Sequence, residues 1–310
     1  MTAYMWLFLG LAVMIFSGNW LVTGSVQLAR HFKLSTLVVG LTIVAYGTSS
    51  PEMFVSVKAA LEGSQDIALG NVIGSNIANI GLILAVVAMV YPITIRNRAL
   101  GFDIIVMFAV TFLLLFFGSS GNIGVLQGVC FITILTAYTI WSIAKSRETS
   151  VSEQTVEATM KPLQATLMIL TSIVGLYFSA GWFVSGAREV ALQWGVSERV
   201  IAVSIVAFGT SMPELVASLI AAFRKEVDLS VGNIIGSNIF NIAGVLGLTV
   251  IVRPLKIADN AMFISDMIWL FGIYIGLVLT MIPLSKGKIT RWESFCLLSA
   301  FVVYITILYR

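Results

Sequence analysis

Five stretches of this chain contain no charged residue: Thr2–Ala29, Ile67–Ile95, Ile104–Ala144, Leu163–Ala187 and Leu229–Val252. Each exceeds the roughly 20 apolar residues that an α-helix needs to cross a bilayer. Ile104–Ala144 is long enough for two crossings, and GSSGN at 118–122 divides it. The composition agrees: 58% of residues are hydrophobic, 11% are charged, and the mean hydropathy is +0.99. A soluble domain carries about 25% charged residues. The chain therefore reads as an all-α integral membrane protein.

Ten spanning helices are expected, near 4–29, 35–60, 67–91, 100–118, 123–144, 163–187, 199–223, 229–252, 261–282 and 292–309. The polar stretch 145–162 (KSRETSVSEQTVEATMKP) is the only linker of any length and divides them five and five, into 1–144 and 163–310. No basic residue precedes the first apolar run, Arg30 being the first, so no cleavable signal is expected.

A shift of 162 residues superimposes the halves without a gap. IVAYGTSSPE (43–52) falls on IVAFGTSMPE (205–214), with eight of ten positions identical. GNVIGSNIANI (70–80) falls on GNIIGSNIFNI (232–242), with nine of eleven identical. Phe16, Ser17, Trp20, Val22 and Gly24 fall on Phe178, Ser179, Trp182, Val184 and Gly186. This is an internal duplication. Five helices per copy is an odd number, so the second copy inserts upside down. Inverted repeats are a transporter design, with the site at their interface near the midplane.

Loop charges give the orientation. With the N-terminus outside, the inner loops hold Arg30, Lys33, Arg96, Arg98, Lys145, Arg147, Lys161, Arg224, Lys225, Lys286, Lys288 and Arg291. The outer ends hold Arg188, Arg199, Arg253, Lys256 and Arg310, and Lys58 lies near an outer helix end. Twelve against five satisfies the positive-inside rule, with both termini outside and the 145–162 linker cytoplasmic.

Two glutamates stand out. A carboxylate at the centre of a membrane helix costs roughly 2.5–3.5 kcal/mol even on insertion scales. Glu52 and Glu214 nevertheless sit at equivalent positions, each closing a GTSxPE sequence. Proline has no N–H and its ring crowds the preceding turn, so Pro51 frees the carbonyl of Gly47 and Pro213 that of Gly209. Freed backbone oxygens are tolerated in a bilayer only where something else satisfies them. Thr48, Ser49, Thr210 and Ser211 add hydroxyls within one turn of each glutamate. Carboxylate, carbonyl and hydroxyl oxygens together are what hard cations such as Ca²⁺ and Na⁺ bind. In the second motif Ser75 and Asn79 share a helix face, as do Ser237 and Asn241, and both pairs are placed against the broken helices. Packing alone accounts equally well for Gly74 and Gly236, and Pro51 by itself is also consistent with a structural kink.

Other candidates carry less. Asp103 and Asp266 lie near helix ends without a shared motif and read as interfacial. His31, the only histidine, reads as a solvated loop residue between Arg30 and Lys33. Cys130 and Cys296 form no CxxC or Cys/His cluster, so no zinc or redox site, and no cofactor, is expected. No HExxH is present, which argues against an intramembrane enzyme. No nucleic-acid partner is expected; the lipid bilayer is the surroundings.

The paired motifs GTSSPE with GNVIGSNIANI, and GTSMPE with GNIIGSNIFNI, resemble the two α-repeats of sodium/calcium exchangers in the calcium/cation antiporter superfamily. The resemblance covers essentially the whole chain. It implies that Glu52 and Glu214 are the central Ca²⁺ ligands, shared with Na⁺, and that Thr48 and Thr210 contribute backbone oxygens. It implies Na⁺ sites from Ala45, Ser49, Ser75, Ala207, Ser211 and Ser237, with Asn79 and Asn241 lining the middle. Some relatives carry aspartate where Asn79 or Asn241 stands, so a K⁺-dependent mode fits less well. The proton/calcium branch carries a GNxxE-type motif instead and also fits less well. A cation channel is the competing class; it would lack stoichiometric counter-ion coupling. The expectation is a monomeric antiporter of three Na⁺ for one Ca²⁺. Its first and sixth helices, rich in small residues, are expected to move as the gate.

Overall fold

Prolines 51 and 213 set the helix count. The computed structural model describes residues 2–94, 100–149, 157–195, 207–281 and 288–308. Among these residues, eight helices are long and apolar enough to cross a membrane. In chain order the helices are α1 Thr2–Phe32, α2 Thr36–Thr48, α3 Ser50–Leu61, α4 Gln65–Val90, α5 Leu100–Gly118, α6 Val125–Thr149, α7 Pro162–Gln193, α8 Ala207–Thr210, α9 Met212–Phe223, α10 Val227–Val252, α11 Asn260–Met281 and α12 Arg291–Leu308. The second expected helix, 35–60, is thus two pieces, broken at Ser49 with φ −84° and ψ 8°. The seventh repeats the break at Ser211, φ −88° and ψ 3°. Its residues 199–206 lie outside the described ones. The cause is the missing proline N–H and the crowded turn before it.

Among the described residues, three further departures from an ideal helix occur. Gly40–Val44 in α2, Asn79–Leu84 in α4 and Asn241–Leu246 in α10 are π-helical. Single π turns inside α-helices cluster at functional sites. The α6 helix continues past the expected end at 144 to Thr149, because Lys145, Arg147 and Glu148 are good helix formers. The α1 helix reaches Phe32, so exposed His31 lies in its last turn rather than in a loop. Of the 145–162 linker, residues 150–156 lie outside the described ones.

The chain divides into two compact units, 1–51 with 142–233 and 52–141 with 234–310. In the first, α1 and α7 pack side by side. Gly10 lies against Phe183, Ser17 against Gly175 and Gly24 against Ala165, so the helices run antiparallel. A Cβ on Gly10 would stand 2.6 Å from the Phe183 nitrogen, and one on Gly186 would collide with the Leu7 backbone. Small side chains permit that approach. Met14, Leu21, Val22, Ile169, Leu176, Val216, Ala217 and Leu229 form the buried core beside it. Outward faces carry exposed Phe8, Phe16, Leu167, Leu170 and Phe178, a surface suited to lipid. Gln27 Oε1 accepts from the Thr159 and Met160 N–H groups at 2.8 and 3.3 Å. Ser146 Oγ accepts from the Ser35 N–H at 2.8 Å. The linker is thus held to α1 and the α1–α2 corner.

The second unit contains two short antiparallel ribbons. Strand β1 (Ile93–Thr94) pairs with β4 (Lys288–Ile289), and β2 (Asn122–Ile123) with β3 (Leu255–Lys256). Each joins a loop of the first half of the sequence to one of the second. Gly128 meets the Gly247 carbonyl, a Cβ there lying 2.7 Å from that oxygen, which draws α6 onto α10.

Overpacking costs about 1–3 kcal/mol. Gly186→Val is expected to lower stability by about that much, read as a fall in the detergent-solubilised melting midpoint. Gly181→Ala, where an added Cβ meets nothing within 4 Å, is expected to leave the midpoint unchanged.

Candidate functional site

The first unit assembles one of the two carboxylate centres. Glu214 sits in the first turn of α9 and is only 1% exposed. Ser49 Oγ, at the α2–α3 break, donates to Glu214 Oε1 at 2.8 Å. A hydroxyl from the first motif therefore serves the carboxylate of the second, and the two sequence repeats meet in one polar cluster. Thr48 Oγ1 donates to Asn233 Oδ1 at 3.1 Å. The Ala45 carbonyl accepts from the Ser49 N–H at 3.0 Å. Thr210 and Ser211 occupy the equivalent break before α9, with Ser211 buried. Ala207 begins α8.

Glu214 Oε2 is buried without a hydrogen-bond partner, and no lysine, arginine or histidine among the described residues forms an ion pair with this carboxylate. Removing a charged group from water costs several kcal/mol unless pairing and hydrogen bonds repay it. One hydroxyl repays only part of that. The cluster offers oxygen and lacks positive charge, which is the donor set of a hard-cation site.

The second unit assembles the other polar centre. Glu52, also 1% exposed, lies in the first turn of α3, and its backbone carbonyl accepts from Asn71 Nδ2 at 3.2 Å. Along α4 and α10, Ser75, Asn76, Asn79, Ser237, Asn238 and Asn241 are all buried. Asn241 Nδ2 donates to Asn76 Oδ1 at 3.2 Å, joining the motif helices of the two halves. Asn79 Oδ1, Asn241 Oδ1 and Ser237 Oγ have no hydrogen-bond partner. Buried polar atoms are nearly always paired, so such a cluster calls for a partner beyond the protein's own atoms, an ion or water. Both π segments begin at these asparagines, Asn79 and Asn241.

Several functional features were missed from sequence. Asn76 and Asn238 were not singled out, though both follow the serine of GSN. Asn238 is fixed on both sides: its Nδ2 donates to the Ile234 carbonyl at 2.8 Å, and its Oδ1 accepts from Tyr274 at 2.9 Å. Asp103 and Asp266, expected to be interfacial, are not solvated side chains at their helix ends. They are 4% and 8% exposed, and Tyr138 and Tyr304 donate to them at 2.8 and 3.3 Å. Each tyrosine lies on the last helix of its half, so the pairs recur in both halves. The recurrence is hidden because the spacing from Asp to Tyr differs, 35 and 38 residues.

A hydrogen bond to a charged group contributes about 1.5–3 kcal/mol. Tyr138→Phe is therefore expected to lower stability by roughly that amount in a chemical-denaturation series, where a solvated interfacial Asp103 would show no change.

Comparison with known proteins follows from this geometry. The family described as sodium/calcium exchanger protein matches residues 2–144 and 164–310. The chain is similar to the uncharacterized membrane protein MJ0091 of Methanocaldococcus jannaschii, 33% identical over 96% of this chain and 95% of that protein. It is similar to the sodium/calcium exchanger MaX1 of Methanosarcina acetivorans, 28% identical over 98% of this chain and 97% of that one. A solved structure of the sodium-calcium exchanger NCX_Mj superimposes with a TM-score of 0.85 at 31% identity, covering 99% of each chain.

Proposed function

The chain belongs to the sodium/calcium exchanger protein family, and from that premise we propose that it is a secondary antiporter that carries Na⁺ inward and Ca²⁺ outward across the cell membrane. The observation that carries the reading is the bond from Ser49 to Glu214. It ties the first α-repeat to the carboxylate of the second, in a buried cluster with no counter-charge among the described residues. A transported cation is the counter-charge.

In this proposal Glu52 and Glu214 offset the two charges of Ca²⁺, with main-chain oxygens of Thr48 and Thr210 beside them. Ser49, three residues from Glu52 in the chain, already bonds Glu214. Na⁺ uses Ala45, Ser49, Ser75, Ala207, Ser211 and Ser237, while Asn79 and Asn241 line the middle. Their unpartnered amide oxygens support a role as donors to a dehydrated ion. No resident cofactor is needed: the gradient supplies the work.

The two ribbons support the inverted arrangement of ten crossings. Strands β1 and β3 follow the third expected helix of their halves, and β2 and β4 the fourth. Within any one half those two loops lie at opposite ends of the helices. Pairing β1 with β4 and β2 with β3 therefore suits halves that run in opposite senses. Alternating access then exchanges one face for the other, with α1 and α7 as the moving pair on their close glycine contacts. The positive-inside count places both termini outside, and one chain suffices for transport.

Three Na⁺ against one Ca²⁺ moves one net charge per cycle. That charge is worth roughly 2.3 kcal/mol per 100 mV, so an inside-negative potential assists Ca²⁺ export. Asparagine at 79 and 241 adds no third carboxylate, which favours K⁺ independence over the K⁺-dependent alternative.

Two measurements test the reading. Glu52→Gln and Glu214→Gln are each expected to abolish Na⁺-gradient-driven ⁴⁵Ca²⁺ uptake in proteoliposomes at normal expression; normal uptake by either removes the shared site. With K⁺ replaced by choline and the voltage clamped, flux is expected to persist and to follow the potential. Flux that stops without K⁺, or ignores voltage, points to the K⁺-dependent or an electroneutral mode.

A further inference from the structure

The asparagine of the GN pair that opens each second motif lies outside the proposed ion ligands, yet it touches the glutamate-bearing helix in both halves. Asn71 and Asn233 are 162 residues apart, as are Ser56 and Ser218. In the second unit, Asn71 Nδ2 donates to Ser56 Oγ at 2.9 Å and to the Glu52 carbonyl at 3.2 Å. Ser56 Oγ itself donates to the Ala68 carbonyl at 3.4 Å. In the first unit, Asn233 Nδ2 donates to Ser218 Oγ at 2.9 Å and to the Glu214 carbonyl at 3.5 Å. Ser230 Oγ, at the position matching Ala68, donates to the Ser218 carbonyl at 2.9 Å. Each amide thus grips the glutamate's own carbonyl and the hydroxyl one turn further on.

The need for such a grip follows from the proline. A helix turn that begins at Pro51 or Pro213 lacks the ladder bond that would anchor it to the preceding turn. The first turns of α3 and α9, which carry the carboxylates, are therefore weakly held along their own axes. A lateral amide replaces that hold. Asn233 does one thing more: its Oδ1 takes the Thr48 hydroxyl proton, so the break of the first motif hangs on the amide of the second.

We propose that Asn71 and Asn233 are positioning residues for transport, each setting the rotation of a proline-broken glutamate helix so that its carboxylate is presented to the ion. Small displacements of a reacting or binding group are expensive, so the effect belongs in ion affinity rather than in folding alone. The proposal rests on the antiporter reading above and names residues outside the ion ligands.

The test compares Asn71→Ala, Asn233→Ala, Ser56→Ala and Ser218→Ala in the full chain. Two readouts are taken: the KM for Ca²⁺ in Na⁺-driven uptake, and the rise in melting midpoint on adding Ca²⁺. Each asparagine variant is expected to raise the KM about tenfold or more and to lose most of the Ca²⁺-induced rise. The serine variants keep the bond to the glutamate carbonyl and are expected to shift less, in the same direction. A lower ion-free midpoint with unchanged KM and an unchanged Ca²⁺-induced rise would show ordinary packing residues and overturn the proposal. If an asparagine variant fails to fold, the serine variants decide: wild-type KM in both overturns it. Absence of Na⁺-driven uptake in the wild type would instead sink the antiporter reading, and the Ca²⁺-induced midpoint rise would still test positioning.

Discussion

A carboxylate held in a membrane protein's interior, with no counter-charge among the described residues, is the constraint on which the rest of this structure depends. Glu214 is 1% exposed, and the hydroxyl of Ser49 donates to it. Such a group is unfavourable by several kcal/mol until a cation arrives. Everything around it reduces that cost without removing it: the proline that opens the helix, the hydroxyls on the break, and the amides on the neighbouring motif helix. A site satisfied in advance by a lysine would bind no ion. In the proposed antiporter, a carboxylate with no ion-pair partner among the described residues leaves the counter-charge to the transported ion.

The duplication explains how one short motif supplies two halves of this chemistry. Each half contributes a broken helix with a glutamate and an intact helix that turns π-helical at its asparagine. The exchange of partners is reciprocal. Ser49 and Thr48 of the first half bond Glu214 and Asn233 of the second, and Asn241 of the second bonds Asn76 of the first. The ribbons β1–β4 and β2–β3 repeat that exchange at the loops. Burial is distributed unevenly between these helices. The motif helices α4 and α10 are 78% and 89% buried over their apolar windows, against 33% and 28% for α1 and α7. The latter pair has the composition and the exposure of elements that can move.

Much of this was legible in the sequence because the membrane simplifies the code. Charge-free runs located six of the ten expected helices, and a single shift of 162 exposed both motifs. The halves of the code that depend on side-chain geometry were not legible. Asp103 reads as an interfacial acid until Tyr138 is seen to donate to it, since nothing in the local sequence announces a partner 35 residues away. The π turns are equally silent: Asn-Ile-Gly and Asn-Ile-Ala suit an ordinary helix, and only packing against neighbours selects the wider turn. The amide grip of Asn71 and Asn233 had a visible signal, the recurrence of Asn and Ser at the repeat distance. Its meaning required the distances.

The central claim is that Na⁺ and Ca²⁺ compete for one carboxylate-centred cage. Isothermal calorimetry of the purified chain with Ca²⁺, repeated at increasing Na⁺, tests it most directly. The account predicts one high-affinity Ca²⁺ per chain, displaced by Na⁺ with a steeper than first-order dependence, and no such binding once Glu214→Gln removes the charge. Ca²⁺ binding that is indifferent to Na⁺, or that survives loss of this carboxylate, would contradict it.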